Sequence, residues 1–483
     1  VKVLFIVSEC VPFSKTGGLA DVAGSLPSEL KRLGTDIRII LPKYQAIPDH
    51  FKKQMSKICE FTVSVGWRQQ YCGIEQLDHE GITYYFVDNE YYFNREGYYG
   101  YFDDGERFSF FTKAVLESMN HISFYPNVLH CHDWHTAMVP FLLRTEYQKR
   151  PGYHFIRTVF TIHNLKFQGI FPKSVMTELL EIPEHYFTPE RLEFYGNINF
   201  MKAGLISADS LTTVSPTYRN EILTPYYGEQ MDGILKSREN ELVGILNGID
   251  EDQYNAARDS NHHSFSANNL SGKAMIKKEL QRRLGLVEDE KKPIISLISR
   301  LTKQKGLDLV TRVFHEMLQE DVQFILLGTG DWEFEQFFRH EGGKYPDKVR
   351  AIIGFDEALA KEIYAGSDLF IMPSQFEPCG LGQMIAMRYG TLPIVRETGG
   401  LNDTVHSYNE MTGTGNGFSF HNFNAHDMLY TIRRAIHLYH SEQNTWNQIV
   451  KQAMEMDFSW AQSAFQYNQL YAELASRSES HVF

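Results

Sequence analysis

Cysteine is scarce in this chain of 483 residues: there are five, odd in number and scattered at Cys10, Cys59, Cys72, Cys131 and Cys379. No CxxC pair occurs, so neither a zinc site nor a redox motif is indicated, and a reducing cytoplasm fits best. Positive charge is also in deficit. With 60 acidic against 47 basic residues the net charge is −13, which argues against nucleic acid or an anionic membrane as a partner. Any anion site must therefore be local. Long apolar runs are missing too: none approaches the roughly 20 residues that span a bilayer. The first residues read as a strand rather than a signal peptide, although the chain starts at Val1 and not at Met. A GxSxG nucleophile elbow is absent, which disfavours a serine hydrolase.

What the chain has is apolar patterning. An apolar content of 43% over this length suits two or three globular domains. Buried-strand runs at Val3 to Val7, Asp36 to Leu41, Val128 to Cys131, Thr158 to Ile162, Ser210 to Val214 and Leu242 to Leu246 alternate with helical patterns. That alternation predicts a parallel sheet with helices on its faces. An insertion after the second run holds three further segments, Phe61 to Val65, Tyr71 to Leu77 and Ile82 to Val87, expected as short antiparallel strands. From Asn89 to Phe111 a long loop is expected, crowded with Tyr and Phe; its rings suit sugar faces or simple self-packing. The pattern weakens after Asn247-Gly248-Ile249-Asp250 through the polar stretch Asp259 to Asn269, then restarts. Strands at Ile294 to Ser299, Gln323 to Leu327, Val349 to Ile353, Asp368 to Met372 and Leu392 to Val395 follow. The expectation is an α/β chain of two Rossmann-like, doubly wound domains facing across a cleft. Residues 1–246 form the first, 247–460 the second, and 461–483 a helix.

Four glycine-bearing turns stand where ligands of open α/β sheets bind, beyond the carboxyl ends of strands. In Lys15-Thr16-Gly17-Gly18-Leu19-Ala20-Asp21 the glycines let backbone approach a ligand, Lys15 adds a cation, and Asp21 is expected to cap the following helix. Pro27 sits inside that helical pattern, either kinking the helix or marking its first turn. The motif is neither a P-loop nor a GxGxxG fingerprint, and alone it reads equally as a structural turn. Ser299-Arg300-Leu301-Thr302-Lys303-Gln304-Lys305-Gly306 again sets cations before a helix. Gln375-Phe376-Glu377-Pro378-Cys379-Gly380-Leu381-Gly382-Gln383 places a carboxylate and two glycines at a strand's end, and Glu397-Thr398-Gly399-Gly400-Leu401 adds another glycine turn. Helix N-termini and free N–H groups there suit an anion, while Glu377 by itself reads equally as a cap. His130, His132 and His135 resemble a metal cluster only superficially, because no carboxylate or Cys completes a tetrahedral set.

These motifs carry a resemblance. KTGGLADV from Lys15, HDWH from His132, TIHN from Thr161, GILNGID from Gly244, SRLTKQKG from Ser299, FEPCGLGQ from Phe376 and RETGGLNDTV from Arg396 run in order along the chain. Together they resemble the ADP-glucose-dependent bacterial glycogen synthases, a family shared with plant starch synthases. The resemblance implies the GT-B fold, with the C-terminal helix (residues Ser459 to Ala475 have its composition) crossing back to the first domain. It also implies retaining transfer of glucose from ADP-glucose to the 4-hydroxyl at the non-reducing end of an α-1,4-glucan such as glycogen, with no cofactor or obligatory metal. Arg300 and Lys305 match the family's diphosphate binders, and Lys15 with Gly18 its phosphate contact in the first domain. Cys379, Gly380, Leu381 and Gly382 belong to the donor-binding loop, and Glu377 matches the residue at the glucose's reactive centre. His163 and Asn164 match residues holding the donor sugar, Asp133 a residue needed for activity, and Asn247 a polar contact near the glucose. Asp21 and Phe355 match positions near the nucleoside, where relatives often carry Tyr in place of Phe355; a core ring at a strand's end is its simpler reading.

Two positions depart from related GT-B families. Ile385 stands where some have a second Glu, as is usual among the synthases, and Gly382 stands where some have a hydroxyl, so that any bond to phosphate there must come from backbone. A second reaction on the same fold, with another nucleotide sugar, and a silent glucan-binding homologue are the rival readings. The intact Lys15, His163, Arg300, Lys305 and Glu377 argue against the silent one.

Overall fold

Val3-Leu4-Phe5-Ile6 is apolar on both faces of the pleat, and such a run is stable as a strand only when helices cover it on both sides. In the computed structural model, which describes residues 1–259 and 263–479, these four side chains are fully buried. They lie in the central strand of the first of two units, Val1–Gly248 with the segment from Trp460; the second unit is Ile249–Ser459.

The strands of the first unit are β1 (Lys2–Ile6), β2 (Asp36–Pro42), β3 (Ser56–Val65), β4 (Arg68–His79), β5 (Ile82–Asp88), β6 (Val128–His132), β7 (Arg157–Ile162), β8 (Ile170–Pro172), β9 (Glu193–Phe194), β10 (Asn197–Asn199), β11 (Ser210–Thr213) and β12 (Leu242–Gly244). Nine of them form one sheet in the order β12-β11-β7-β6-β1-β2-β5-β4-β3, and β8, β10 and β9 form a small separate one. The expected antiparallel insertion is only partly so. β5 runs antiparallel to β4 but parallel to β2, pairing Arg38 with Thr83, so it belongs to the main parallel sheet and carries the hairpin outward. Its alternate residues Tyr84 and Phe86 pack with Phe13, which gives that register a buried face to specify it.

The aromatic stretch is not a single loop. Glu90–Phe93 is a helical turn capped by Asn89, and the helix Asp104–Ile122 begins inside the stretch. Phe108, Phe110 and Phe111 are buried on that helix, and the buried Arg107 guanidinium donates to the carbonyls of Tyr92 and Tyr98 and to Asp104. Core packing thus overrides the loop-like composition. The first helix, Gly18–Arg32, also starts earlier than expected: Gly17 holds the cap position and Asp21 lies in the first turn. Pro27 stays within it without ending it. The small Ala23 and Gly24 stand one turn back, where a proline ring crowds the backbone, and burial of Leu26, Pro27 and Leu30 offsets the lost hydrogen bond.

The second unit holds β13 (Ile294–Ile298), β14 (Gln323–Gly328), β15 (Val349–Ile353), β16 (Leu369–Met372), β17 (Leu392–Arg396) and β18 (Phe418–Phe420). All pair in parallel in the order β15-β14-β13-β16-β17-β18. The three-residue β18 is too short for periodicity to reveal. Of the polar stretch before this unit, positions 260–262 lie outside the described residues. The C-terminal helix spans Ala461–Glu479 and buries Ala464, Tyr467, Tyr471 and Leu474 in the core of the first unit. In the large sheet of the first unit the chain crosses from one side of β1 to the other between β1 and β6, and in the sheet of the second unit the winding reverses between β13 and β16; the crevice at such a switch is where α/β folds take ligands.

Candidate functional site

At the switch in the first unit, the loop after β1 is organised by a residue that its motif does not contain. Glu9 is buried, and its carboxylate accepts from the Thr16 backbone N–H (3.0 Å), the Thr16 hydroxyl (2.6 Å) and the Gly17 N–H (3.2 Å). The Tyr99 hydroxyl lies 3.1 Å from the same carboxylate and 2.7 Å from Ser8 Oγ. Burial raises the Glu9 pKa, and these hydrogen bonds oppose the rise. The loop is thereby pinned from below, with open space above Gly17 and Gly18. Lys15 reaches over it to Asp21 at 2.9 Å, in a pair exposed enough for either charge to turn to a ligand at little cost. A lone Glu between a strand and a cysteine gives no sequence signal.

The next two strands deliver Asp133 and His163. Asp133 follows β6 with φ of 58°, a left-handed value that strains a residue other than glycine. Its carboxylate accepts from the His163 N–H at 2.7 Å and, more weakly, from the Asn164 N–H at 3.4 Å, tying the ends of β6 and β7 together. Burial pushes its pKa up to about 7, and the two backbone donors hold it down. The His163 imidazole is pushed down to about 3 by burial and is neutral; its Nε2 lies 2.9 Å from His132 Nδ1. Asn164 uses its side-chain oxygen to accept from the Lys166 N–H at 3.0 Å, which shapes the turn. Asn247 is buried, and its Oδ1 has no partner among the described residues. The three histidines suspected of mimicking a metal cluster are spent otherwise: His130 bonds Tyr471 and Thr161, His132 bonds His163, and His135 stacks on Trp134 and Tyr99.

In the second unit the loops after β13 and β16 meet through close backbone contact. Gly306 has φ of 79°, and a Cβ there would lie 2.1 Å from the Pro373 carbonyl, so glycine is required. The Gln375 N–H donates to the Gln304 carbonyl at 2.8 Å. This contact brings together residues 72 positions apart: Lys305 Nζ lies 2.8 Å from Glu377 Oε2, which also accepts from the Ser374 hydroxyl at 2.9 Å. Glu377 is 6% exposed, so its charge is held among a cation and a hydroxyl rather than in water. The buried Arg396 donates to the Ser374 carbonyl at 2.9 Å and to the His421 carbonyl at 3.0 Å, and the Gln383 amide donates to the Cys379 and Gly380 carbonyls and to Thr404. Arg396 and Gln383 hold the loop's shape from beneath, and buried main-chain bonds of this kind leave no trace in residue order.

Arg300 is exposed and its side chain makes no hydrogen bond among the described residues. Cys379 is buried, Gly380 has φ of 77°, and Leu381 precedes the helix Gly382–Arg388. A Cβ at Gly382 would meet the Phe370 ring at 3.0 Å and the Tyr364 hydroxyl at 3.2 Å, which explains the missing hydroxyl residue here: the space is already filled. Phe355, after the edge strand β15, is 80% exposed and is not the core ring that its apolar context suggested. Thus Lys305 and Glu377 are brought into contact, as are Asp133, His163 and Asn164, whereas Phe355 stands at the far edge of its sheet.

Comparison with known proteins agrees in both halves. Residues 2–237 match the family described as the starch synthase catalytic domain, and residues 279–453 match the glycosyl transferases of group 1. The chain is 62% identical to a glycogen synthase of Anoxybacillus flavithermus over all of both chains. It is 58% identical to that of Geobacillus stearothermophilus over 99% of each. Among solved structures, the catalytic domain of starch synthase IV from Arabidopsis thaliana, bound to ADP and acarbose, superposes with a TM-score of 0.92 at 35% identity, covering 98% of this chain and 99% of that one. A sucrose-phosphate synthase from Thermosynechococcus elongatus shares the fold, with a TM-score of 0.62 at 18% identity over 99% of each chain.

Proposed function

Because the chain belongs to the family of bacterial glycogen synthases and plant starch synthases, we infer that it extends an α-1,4-glucan with glucose from ADP-glucose, with retention at the anomeric carbon. The observation that carries the reading is the Lys305–Glu377 pair at the winding reversal of the second sheet, in a chain alike to these synthases from end to end. The second domain, residues 247–460, is the donor side and the first, residues 1–246, the acceptor side.

In the transfer, the bond from the glucose C1 to the diphosphate oxygen breaks and a bond from C1 to the acceptor O4 forms. Negative charge grows on the leaving ADP, so Arg300, Lys305 and Lys15 stabilise the transition state more than the bound donor. The Glu377 carboxylate, already bonded to Lys305 and Ser374, is a poor nucleophile. That favours front-face transfer: Glu377 steadies the positive sugar, and the leaving phosphate takes the proton of the acceptor hydroxyl. His163, Asn164 and Asn247 serve the donor sugar, and Asp133, needed for activity, holds the backbone of the first two in place. Cys379, Gly380, Leu381 and Gly382 line the path of the diphosphate, Gly18 leaves room for phosphate, and Asp21 and the exposed Phe355 serve the nucleoside.

The five cysteines are unpaired, which supports a cytoplasmic setting, and among the described residues no helix is long and apolar enough to cross a membrane. Mixing the protein with ADP-glucose and glycogen tests the reading: ADP should appear only when both are present. Silence with ADP-glucose alongside turnover of UDP-glucose would transfer the assignment to another donor, and silence with both would overturn it.

A further inference from the structure

His132 ends β6 as part of the sheet and is 1% exposed. Its ring packs against that of Phe5, with centroids 4.2 Å apart, and that of His130, 4.1 Å away and nearly parallel at 29°. His130 is itself immobilised at both nitrogens, Nδ1 by the Tyr471 hydroxyl at 2.5 Å and Nε2 by the Thr161 hydroxyl at 2.6 Å, and Thr161 continues to Thr212 at 2.6 Å. The His132 imidazole is thus packed against two rings that themselves lie 5.0 Å apart, and its one hydrogen bond among the described residues runs from Nδ1 to His163 Nε2.

Burial keeps both rings neutral. Two neutral imidazoles that share a hydrogen bond hold one proton between them, and this admits two arrangements. If His163 Nε2 carried the proton, His132 would have its own proton on Nε2, an atom that is buried and has no partner among the described residues. A buried N–H without an acceptor is rarer and costlier than a buried lone pair without a donor. The proton therefore sits on His132 Nδ1, His163 Nε2 accepts it, and the His163 proton is on Nδ1. No hydrogen bond to Nδ1 exists among the described residues, and His163 keeps 9% of its surface open.

We propose that His132 is a positioning residue that fixes His163 as its Nδ1–H tautomer, so that the protein meets the transferred glucose there with a hydrogen-bond donor directed at a hydroxyl oxygen. The proposal rests on the assignment of His163 to the donor sugar and adds what the ring presents and what sets it. A fixed donor costs nothing to reorganise when sugar arrives, whereas a ring free to flip or exchange tautomers would divide its population between competent and incompetent forms.

The test is made on the full-length enzyme. Selective nitrogen-15 labelling of histidine, with the His163 signal assigned from the His163→Gln variant, should show a protonated Nδ1 and a bare Nε2. A protonated Nε2 in the wild type would overturn the proposal whether or not any variant folds. His132→Asn places an amide N–H near the same point and should keep most of the turnover. His132→Leu, which removes the donor, should lose roughly tenfold to a hundredfold in kcat, the usual consequence of taking away one buried partner. His132→Asp should draw a proton onto His163 and introduce a new ionisation near neutrality in the pH profile. Full activity of His132→Leu together with an inactive His163→Ala variant would defeat this proposal alone. Full activity of His163→Ala would instead remove His163 from the site.

Discussion

At the scale of single residues, the contact that matters most is Lys305 with Glu377 at 2.8 Å. Glu377→Gln preserves shape but removes the charge opposite Lys305. If Glu377 acts electrostatically, the variant should bind ADP with nearly unchanged affinity while losing most of its turnover, checked by calorimetric titration beside a steady-state assay. Trapping of a glucosyl ester on Glu377 by mass spectrometry would instead establish a covalent route. Glu9 supports its loop through three donors, two of them backbone N–H groups. In Glu9→Gln an amide NH2 must face one of those donors, and one such mismatch costs about 1 to 3 kcal/mol. The expected outcome is a drop in kcat/KM for ADP-glucose of about tenfold, together with a melting temperature lowered by a few degrees. Unaltered kinetics would show that the loop holds its shape without the carboxylate.

At the scale of elements, turns and the terminal helix do the positioning. Gly399 has φ of 47°, and a Cβ there would lie 1.8 Å from the Glu377 carbonyl, so the turn after β17 fits against the loop after β16 only as glycine. Gly399→Ala should cost about 2 to 4 kcal/mol in denaturant melts, from strain added to collision, and it should lower turnover by displacing Glu377. A melt like that of the wild type would show that the two loops can part freely. The C-terminal helix contributes Tyr471, whose hydroxyl meets His130 Nδ1. Tyr471→Phe leaves that buried nitrogen without a partner and should destabilise the first unit by roughly 1 to 3 kcal/mol. Hydrogen exchange in β6 and β7 would register it as faster local opening, and unchanged protection there would refute the link.

At the scale of the whole molecule, the balance of buried ionisable groups predicts how stability follows pH. His130, His132, His135 and His163 all lie in the first unit, and burial lowers each pKa, to about 3 for His135 and His163. In the unfolded chain such groups take up protons below about 6.5. Between those values the unfolded state binds more protons, so the histidine contribution to stability is lost as the pH falls. Asp133, raised to about 7, and Glu9, also raised, act in the opposite sense: they favour the folded state at low pH, and that contribution is lost as pH rises through their folded values. Four groups against two leave a net loss on acidification from about pH 6.5 to 5, on the order of 2 to 5 kcal/mol. Scanning calorimetry at pH 7 and pH 5 should show the transition of the first unit move down by several degrees; a pH-independent transition would contradict the neutral histidines.

Much of this was written locally. The parallel strands, the two-unit division near Gly248 and the loops carrying Lys15, Arg300 and Glu377 follow from apolar runs, glycines and cations within stretches of ten or so residues, where backbone sterics and burial act at short range. Other features needed distant parts of the chain. The direction of β5 depends on β2, the helical start inside the aromatic stretch depends on a core for Phe108 and Phe111, and the helix of Pro27 depends on what packs against it. Glu9, Arg396, Gln383, Tyr471 and the proton on His132 were invisible for one reason. A hydrogen bond is set by where two atoms come to rest within about 3 Å, and residues such as Tyr471 and His130, 341 positions apart, acquire that relation only when helix and sheet have packed.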